Sequence, residues 1–206
     1  MVCGAGMRVN AILRAGRAPI MVLALIGLSS CGGGKAKDDT FALSAMPEIA
    51  GPKATNKQIL IPEPTALKAL DSEQIVIRVT QSEIQYLGQA RWSDRLPKMV
   101  QSKLVEAYEN SGKLGGVGKP GEGLAIDFQV VTDIRAFQIE TSGGDNAHVE
   151  ISVKVLNDRN GSVQAQRVFS ATAPVNGAGN PAFIAALDAA FAKVTADIVG
   201  WTLKSI

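Results

Sequence analysis

The amino-acid sequence predicts an α+β fold, a two-layer domain in which a mainly antiparallel, curved sheet carries two helices packed on one face. Three observations lead to this prediction. Apolar and polar residues alternate with a period of two in several segments, which is the pattern of half-buried strands. Two other segments carry apolar residues every three or four positions, as helices with one buried face do. These segments follow one another as strands, helix, strands and helix, an order typical of α+β domains.

The first part of the predicted domain consists of short strands. Residues 41–43 and 58–62 are candidate strands, and the proline that ends the second places it at an edge or a strand end. The β-branched run at residues 75–79 predicts a third strand. Residues 83–86 alternate polar and apolar side chains, and they predict the return strand of a hairpin.

A helix follows, and a glycine-rich segment comes after it. Ser93 or Asp94 can cap the helix at its start, and Ser111-Gly112 ends it. One apolar stripe recurs every four residues, at Leu96, Val100, Leu104 and Tyr108. Residues 114–123 are rich in glycine, which predicts a mobile connecting loop.

Three long strands are predicted next. Residues 124–139 and 147–156 alternate apolar and polar side chains. Asn160-Gly161 is a strong signal for a hairpin turn, so residues 162–173 are expected to form the partner strand. The regular alternation indicates that one face of the sheet is buried and the other faces water.

The last predicted element is a long helix that begins at Asn180-Pro181, with proline in the first turn. Its apolar stripe steps by three and four residues, through Leu187, Phe191, Val194, Ile198 and Trp201. Alanines between these positions permit a close approach to neighbouring elements. The helix is therefore expected to lie on the sheet beside the first helix.

The first thirty residues differ from the rest of the chain. Three arginines precede a short apolar run at residues 20–28, and the segment has no acidic residue. This is the layout of a secretory signal, and the run is shorter than the roughly 20 apolar residues that a membrane span requires. Residues 1–30 are thus predicted to be a cleaved signal peptide, whether translation starts at Met1 or at Met7.

The predicted signal ends in Leu28-Ser29-Ser30-Cys31, which resembles the lipobox of bacterial lipoproteins. Cys31 is the expected lipid attachment site, with diacylglycerol on its sulfur and an N-acyl chain such as palmitate on the new amino terminus. Two such lipid signals give stable membrane anchoring. Residues 31–40 then form a flexible polar tether. The alternative is an ordinary secretory signal followed by a chance cysteine, against which the position, the spacing and the tether all argue.

The residue after the predicted lipid site indicates which membrane holds the anchor. In Gram-negative lipoproteins an aspartate at this position favours retention in the inner membrane. Gly32 stands there instead. The sequence therefore predicts a protein anchored on the periplasmic side of the cell envelope, with the outer membrane favoured over the inner.

Composition argues against several classes of function. The chain has 21 Lys and Arg residues against 19 Asp and Glu, but three of the basic residues leave with the signal, so the mature net charge is about −1. The sequence shows no basic cluster that would indicate a nucleic-acid partner. Cys3 is removed with the signal and Cys31 is acylated. Neither a disulfide nor a free thiol is therefore expected in the domain.

The sequence contains no recognisable catalytic constellation, so we predict that the protein is not an enzyme and binds no metal and no cofactor besides its lipid. His148 is the single histidine, and it is expected to point to solvent, opposite Val149. Asp127 and Asp133 share a face of a predicted strand, but nothing marks them as an acid/base pair. The glycines of residues 114–123 lack the spacing and the Ser/Thr of a phosphate-binding loop.

Four segments of the chain carry a family resemblance: Thr40–Ala45, Ile75–Arg78, Gln89–Pro97 and the C-terminal helix Phe183–Trp201. Each is short, and their order and spacing behind the lipobox make the resemblance specific. Together they resemble the ABC-type transport auxiliary lipoproteins, the PqiC-like group associated with MCE systems. The resemblance covers residues 41–206, which are the predicted auxiliary lipoprotein domain.

The resemblance implies a docking role. Such lipoproteins work with an ABC permease, its ATPase and an MCE-domain substrate-binding protein, and together they move phospholipids or other hydrophobic molecules across the envelope. Self-association as a homo-oligomer is a further option. A structural or assembly lipoprotein of the envelope is the alternative, and a periplasmic hydrolase is a weaker one. A deep apolar cavity between sheet and helices would indicate direct lipid carriage.

Two positions depart from the family pattern. Ser72-Glu73 stand where the family often has Arg-Pro, and Arg95 stands where it often has proline. Neither position belongs to an apolar stripe, so the expected fold is unaffected. The departures instead put partner contacts in this loop in question.

Overall fold

A computed structural model describes residues 38–44 and 51–206 of the chain, except the side chain of Thr55. The predicted signal peptide, Cys31 and most of the tether lie outside these residues. The described elements are, in order, β1 (Asp39–Phe41), β2 (Ala54–Leu60), β3 (Thr65–Ala66), β4 (Gln74–Arg78), β5 (Ile84–Trp92), α1 (Leu96–Asn110), β6 (Leu114–Gly118), β7 (Phe128–Glu140), β8 (Asn146–Asn157), β9 (Val163–Pro174) and α2 (Asn180–Ser205). The order confirms the predicted α+β class.

The nine strands form one sheet that is organised around β7. On one side β7, β8 and β9 make a long antiparallel meander, and the β7–β8 ladder runs from Phe128↔Asn157 to Glu140↔Asn146. The other side of β7 pairs in parallel with three short strands in turn. These are β2 at its start, β3 in its middle and β4 at its end. The long ladders are thus antiparallel, and short parallel strands extend the sheet.

The prediction of a connecting loop at residues 114–123 is wrong for its first half. Residues 114–118 form β6, which pairs in parallel with β2. The glycines that suggested a loop serve close packing instead, because a Cβ at Gly116 would lie 3.2 Å from the side chain of Gln58. A Cβ at Gly118 would meet the side chain of Leu124. Glycine in a strand often marks such a close approach.

The prediction that Ser93 or Asp94 caps α1 is also wrong. The N-cap is Arg95, and no side chain caps the helix. The backbone N–H of Leu96 instead donates to the carbonyl of Ser72, and Pro97 in the first turn has no N–H that needs a partner. Tertiary contact with the segment before β4 therefore replaces the expected cap.

The helices bury the predicted stripes. In α1 the buried stripe residues are Leu96, Val100, Leu104 and Tyr108, and in α2 they are Leu187, Phe191, Val194 and Ile198. Trp201 is only partly buried, at the edge of the core. The Tyr108 hydroxyl of α1 donates a hydrogen bond to the Thr202 hydroxyl of α2 at 2.7 Å, which joins the two helices. Burial raises the pKa of Tyr108, so this hydroxyl stays protonated.

The core between sheet and helices is filled by aromatic and branched side chains. Phe137 of β7 contacts Trp92 of β5 edge-on at 5.9 Å between ring centroids, and Phe191 of α2 at 5.6 Å. The β8 residues that were expected to share one face are fully buried against α2: Val149, Ile151, Val153 and Val155. The outward-facing residues of the same strands line the opposite surface of the sheet.

Candidate functional surfaces

The predicted anchor lies outside the described residues, so its geometry is not part of this structure. Among the described residues no helix is both long and apolar enough to cross a bilayer. In residues 38–44 and 51–206, no group of three or more His, Cys, Asp or Glu side chains is placed to hold a metal ion. The surfaces described next are the outer sheet face, an apolar corner, a loop rich in ion pairs and the outer edge of β9.

His148 lies on the outer face, opposite Val149 as predicted, but it is half-buried rather than free in solvent. Its Nδ1 is 2.9 Å from Oε1 of Glu140, and its Nε2 is 3.0 Å from Oγ of Ser170. Because a carboxylate only accepts hydrogen bonds, Nδ1 donates to Glu140, and Nε2 lies within hydrogen-bond distance of the Ser170 hydroxyl. Sequence reasoning missed this chain of contacts, since its members lie on three different strands.

The environment of Glu140 keeps this carboxylate ionised. Burial by itself raises its pKa, but hydrogen bonds from Gln138 and His148 and the nearby charge of Arg78 more than offset this, and the net pKa is lowered. Glu140 therefore fixes the orientation of His148 at neutral pH.

The serine, histidine and carboxylate follow the order of an acyl-transfer triad and come from three neighbouring strands. Ser170 is exposed on the strand surface of β9. Acyl transfer also requires N–H donors aimed at a developing oxyanion and a cleft that holds the substrate. The contacts of His148 tie β7, β8 and β9 together across the sheet.

The two aspartates that were predicted to share a strand face are separated by the structure. Asp127 precedes β7, so the predicted strand at residues 124–139 begins later than expected, and its Oδ2 accepts from the backbone N–H of Gln58 at 3.0 Å. Asp133 lies on the outer face, where Oδ1 accepts from Thr65 at 2.8 Å. Both aspartates connect β7 to neighbouring segments rather than form an acid/base pair.

An apolar corner lies on the outer face beside the β4–β5 hairpin. Leu67 is 76% exposed, and Ile84 and Tyr86 are also exposed. A groove of about 130 Å³ runs between Leu67 and Ile84, with Val76 in its wall. Exposed apolar side chains that cluster in this way are typical of protein contact surfaces.

The two departures from the family pattern meet in one loop region. Arg95 pairs with Asp71, and its Nη2 is also 3.0 Å from Oε1 of Glu63. The hydrogen bond to Asp71 is the largest cause of the raised pKa of Arg95. Glu73 pairs with Arg91 at 3.5 Å. This surface at the entry to α1 is thus held by ion pairs of the chain's own residues.

A groove of about 300 Å³ separates the outer edge of β9 from α2. Its walls carry Phe169 and Trp201, whose ring centroids are 5.4 Å apart. The guanidinium of Arg167 lies over the Phe169 ring, 5.2 Å from its centroid. The predicted stripe residue Trp201 is therefore a wall of a surface groove as well as part of the core edge.

Comparison with known families gives a match over most of the domain. Residues 41–199 match the model of the family described as ABC-type transport auxiliary lipoprotein component. A curated relative, an uncharacterised protein of Bradyrhizobium diazoefficiens, is 29% identical over 187 residues, which are 90% of this chain and 50% of the relative. The chain thus spans about half the length of that protein.

Solved structures show the same fold. A Xanthomonas campestris protein described under the family model DUF330 is 29% identical, with a TM-score of 0.74, covering 81% of this chain and 96% of that one. A second crystal structure, of an uncharacterised protein, is 14% identical with a TM-score of 0.64, covering 79% of this chain and 97% of that one. The second likeness concerns the fold alone.

Proposed function

Because this chain belongs to the family of ABC-type transport auxiliary lipoprotein components, we propose that it is a lipid-anchored docking protein of a transporter that moves phospholipids or other hydrophobic molecules across the cell envelope. The observation that carries the proposal is the family match over residues 41–199, directly behind the lipobox-like Leu28–Cys31. A lipoprotein of this family is an auxiliary component of a transporter. A domain tethered to the membrane can contribute by docking with the other transporter components.

The proposed anchor is Cys31, with diacylglycerol on its sulfur and an acyl chain on its amino group after removal of residues 1–30. Residues 31–40 then act as the tether between membrane and domain. Gly32 supports placement in the outer membrane. Two lipid signals on one residue are enough for stable attachment to a membrane.

The proposed partners are an MCE-domain substrate-binding protein, the ABC permease and its ATPase. A second copy of the chain is a further proposed partner. Docking is supported by the exposed apolar corner around Leu67 and by the groove beside β9. The space between sheet and helices is occupied by side chains such as Phe137 and Phe191. An acyl chain bound there would have to displace them, so the cargo is proposed to travel through the partners.

A role without catalysis is part of the proposal. The exposed Ser170 beside His148 sits on a strand surface, and the family is described as an auxiliary component of transport rather than as an enzyme. ATP hydrolysis and any chemistry on the cargo are assigned to the partners.

Crosslinking in intact cells tests the proposal. The full chain is crosslinked, isolated from membranes and analysed by mass spectrometry beside a Cys31→Ala variant, which is expected to leave the membrane fraction. Recovery of an MCE-domain protein and an ABC permease with the anchored form supports the proposal. Recovery of cell-wall or outer-membrane assembly proteins alone would overturn it in favour of a structural envelope lipoprotein.

A further inference from the structure

Strand β9 has the longest unpaired edge among the described residues. It pairs with β8 alone, whereas the other outer strands, β1 and β6, have three and five residues. Free N–H and C=O groups on such an edge bond to any strand that approaches, and proteins usually protect long edges with charges, prolines or a covering segment. Between Gln164 and Ala173, β9 has one charged residue, Arg167, and no proline.

The groove beside this edge provides a place for side chains of an added strand. Successive residues of a strand point to opposite faces, so alternate side chains of a strand added to β9 would enter the groove. Phe169 and Trp201 give it an aromatic surface, and Gly200 leaves one position of α2 without a side chain. An apolar side chain of moderate size fits this setting.

The charges around the groove favour an acidic occupant. Arg167 and Lys204 line it together with Asp197, which leaves a net positive charge. Strand β9 itself has no acidic residue, so a β9 strand of a second copy would supply no carboxylate to Arg167. An extended segment that carries aspartate or glutamate matches the charge, the edge and the groove together.

We infer that β9 accepts an added strand from a partner protein, an extended acidic segment whose apolar side chain lies against Trp201 and whose carboxylate pairs with Arg167. In this mode main-chain hydrogen bonds provide affinity and the side-chain groove provides specificity. The inference rests on the proposed docking role in one respect. That role is the reason for choosing a protein, rather than a lipid, as the occupant of the groove.

A defined peptide tests the inference on the full chain isolated from membranes. The probe is a blocked eight-residue peptide of alternating valine and threonine with one central glutamate. Binding is followed by the fluorescence of Trp201, since the other tryptophan, Trp92, is only 1% exposed. Hydrogen exchange of the β9 amides reports pairing at the edge. One control peptide is N-methylated at alternate amides, which blocks hydrogen bonding along one edge, and another carries glutamine in place of glutamate.

We expect saturable binding that protects the β9 amides and is lost with the N-methylated peptide. Arg167→Ala should weaken binding about fivefold, the loss of one partly exposed ion pair, and the glutamine peptide should bind about as weakly to the unaltered chain. Lys193 is an exposed cation of α2 that lies outside the groove, so the Lys193→Ala variant should bind the peptide as tightly as the unaltered chain. No saturable binding, or fluorescence changes without β9 protection, would overturn the inference.

A second readout separates this inference from the proposed function. A photo-crosslinking amino acid at Gln166 of β9 is compared with one at Leu67 of the apolar corner in cells. An MCE-domain protein that crosslinks only at position 67 would leave the transport role intact and overturn docking at β9. Crosslinks at position 166 that map to an extended acidic segment of the partner support it.

Discussion

The two faces of the β7–β8–β9 meander are made by the same strands and follow opposite rules. The inner face is aliphatic and aromatic, and Val149, Ile151 and Phe137 on it are at most 1% exposed. The outer face carries polar residues that contact one another across strands, such as Glu140 and His148. Along one strand, inward-facing residues thus stabilise the core and outward-facing residues set the surface chemistry. Substitutions at adjacent positions are therefore expected to change the free energy of unfolding by very different amounts.

The largest effect is expected at the centre of the inner face. Phe137→Ala removes the ring that contacts Trp92 and Phe191, and it should lower the free energy of unfolding by about 3–5 kcal/mol because a cavity remains. Lys154→Ala on the outer face of β8 should change it by less than about 0.5 kcal/mol. Urea unfolding of both variants measures the contrast, and similar losses would contradict the division of the faces.

A buried polar contact should rank second. Tyr108→Phe removes the partner of the Thr202 hydroxyl inside the core, and about 1–2 kcal/mol should be lost because a buried hydroxyl is left unpaired. The double variant Tyr108→Phe with Thr202→Val should regain part of this loss, which a double-mutant cycle from thermal or urea unfolding detects. Strictly additive losses would show that the two hydroxyls do not stabilise each other.

The two aspartates around β7 sharpen the comparison further. Asp127→Ala removes the acceptor of the Gln58 amide and should cost about 1 kcal/mol. Asp133→Ala on the outer face removes only exposed contacts and should cost less than about 0.5 kcal/mol. Unfolding of the pair under identical conditions is the test. Equal costs would contradict this difference between the two carboxylates.

The smallest effect is a pH dependence on the outer face. Because the folded-state pKa of Glu140 is lowered, this residue stabilises the fold above its ordinary pKa of 4.5, and the contribution is lost as the pH falls through the lowered value. Glu140→Gln should therefore reduce stability at pH 7 and approach the unaltered chain at pH 3. The exposed Glu109→Gln serves as control. An unchanged difference between pH 7 and pH 3 would exclude the contribution.

Periodicity predicted the helices and the long strands because their burial is one-sided. The stripe from Leu187 to Ile198 and the alternation around Val149 each place apolar residues on one face, whatever the partner is. Glycine content misled the prediction at residues 114–118, since the sequence does not show that Gly116 faces Gln58 of a distant strand. The cap of α1 was mispredicted for a similar reason, because the carbonyl of Ser72 satisfies the amide of Leu96.

The candidate surfaces depended still more on contacts between distant segments. His148 was visible in the sequence as a lone histidine, but Ser170 and Glu140 reach it only through the pairing of β8 with its two neighbours. The groove beside β9 likewise brings Arg167 and Lys204 together from a strand and a helix. Such sites have no local signal, because neither residue type is unusual at its position.

By itself the sequence determined the α+β class, the buried faces of both helices and the family resemblance, since these depend on local periodicity and on motif order. It also carries the prediction of a lipid anchor at Cys31. Only the tertiary structure decided that β2, β3 and β4 pair with β7 in parallel and that β9, within residues 38–44 and 51–206, pairs with β8 alone. Pairing of distant strands is chosen by the packing of the whole core, and the sequence around each strand does not specify its neighbour.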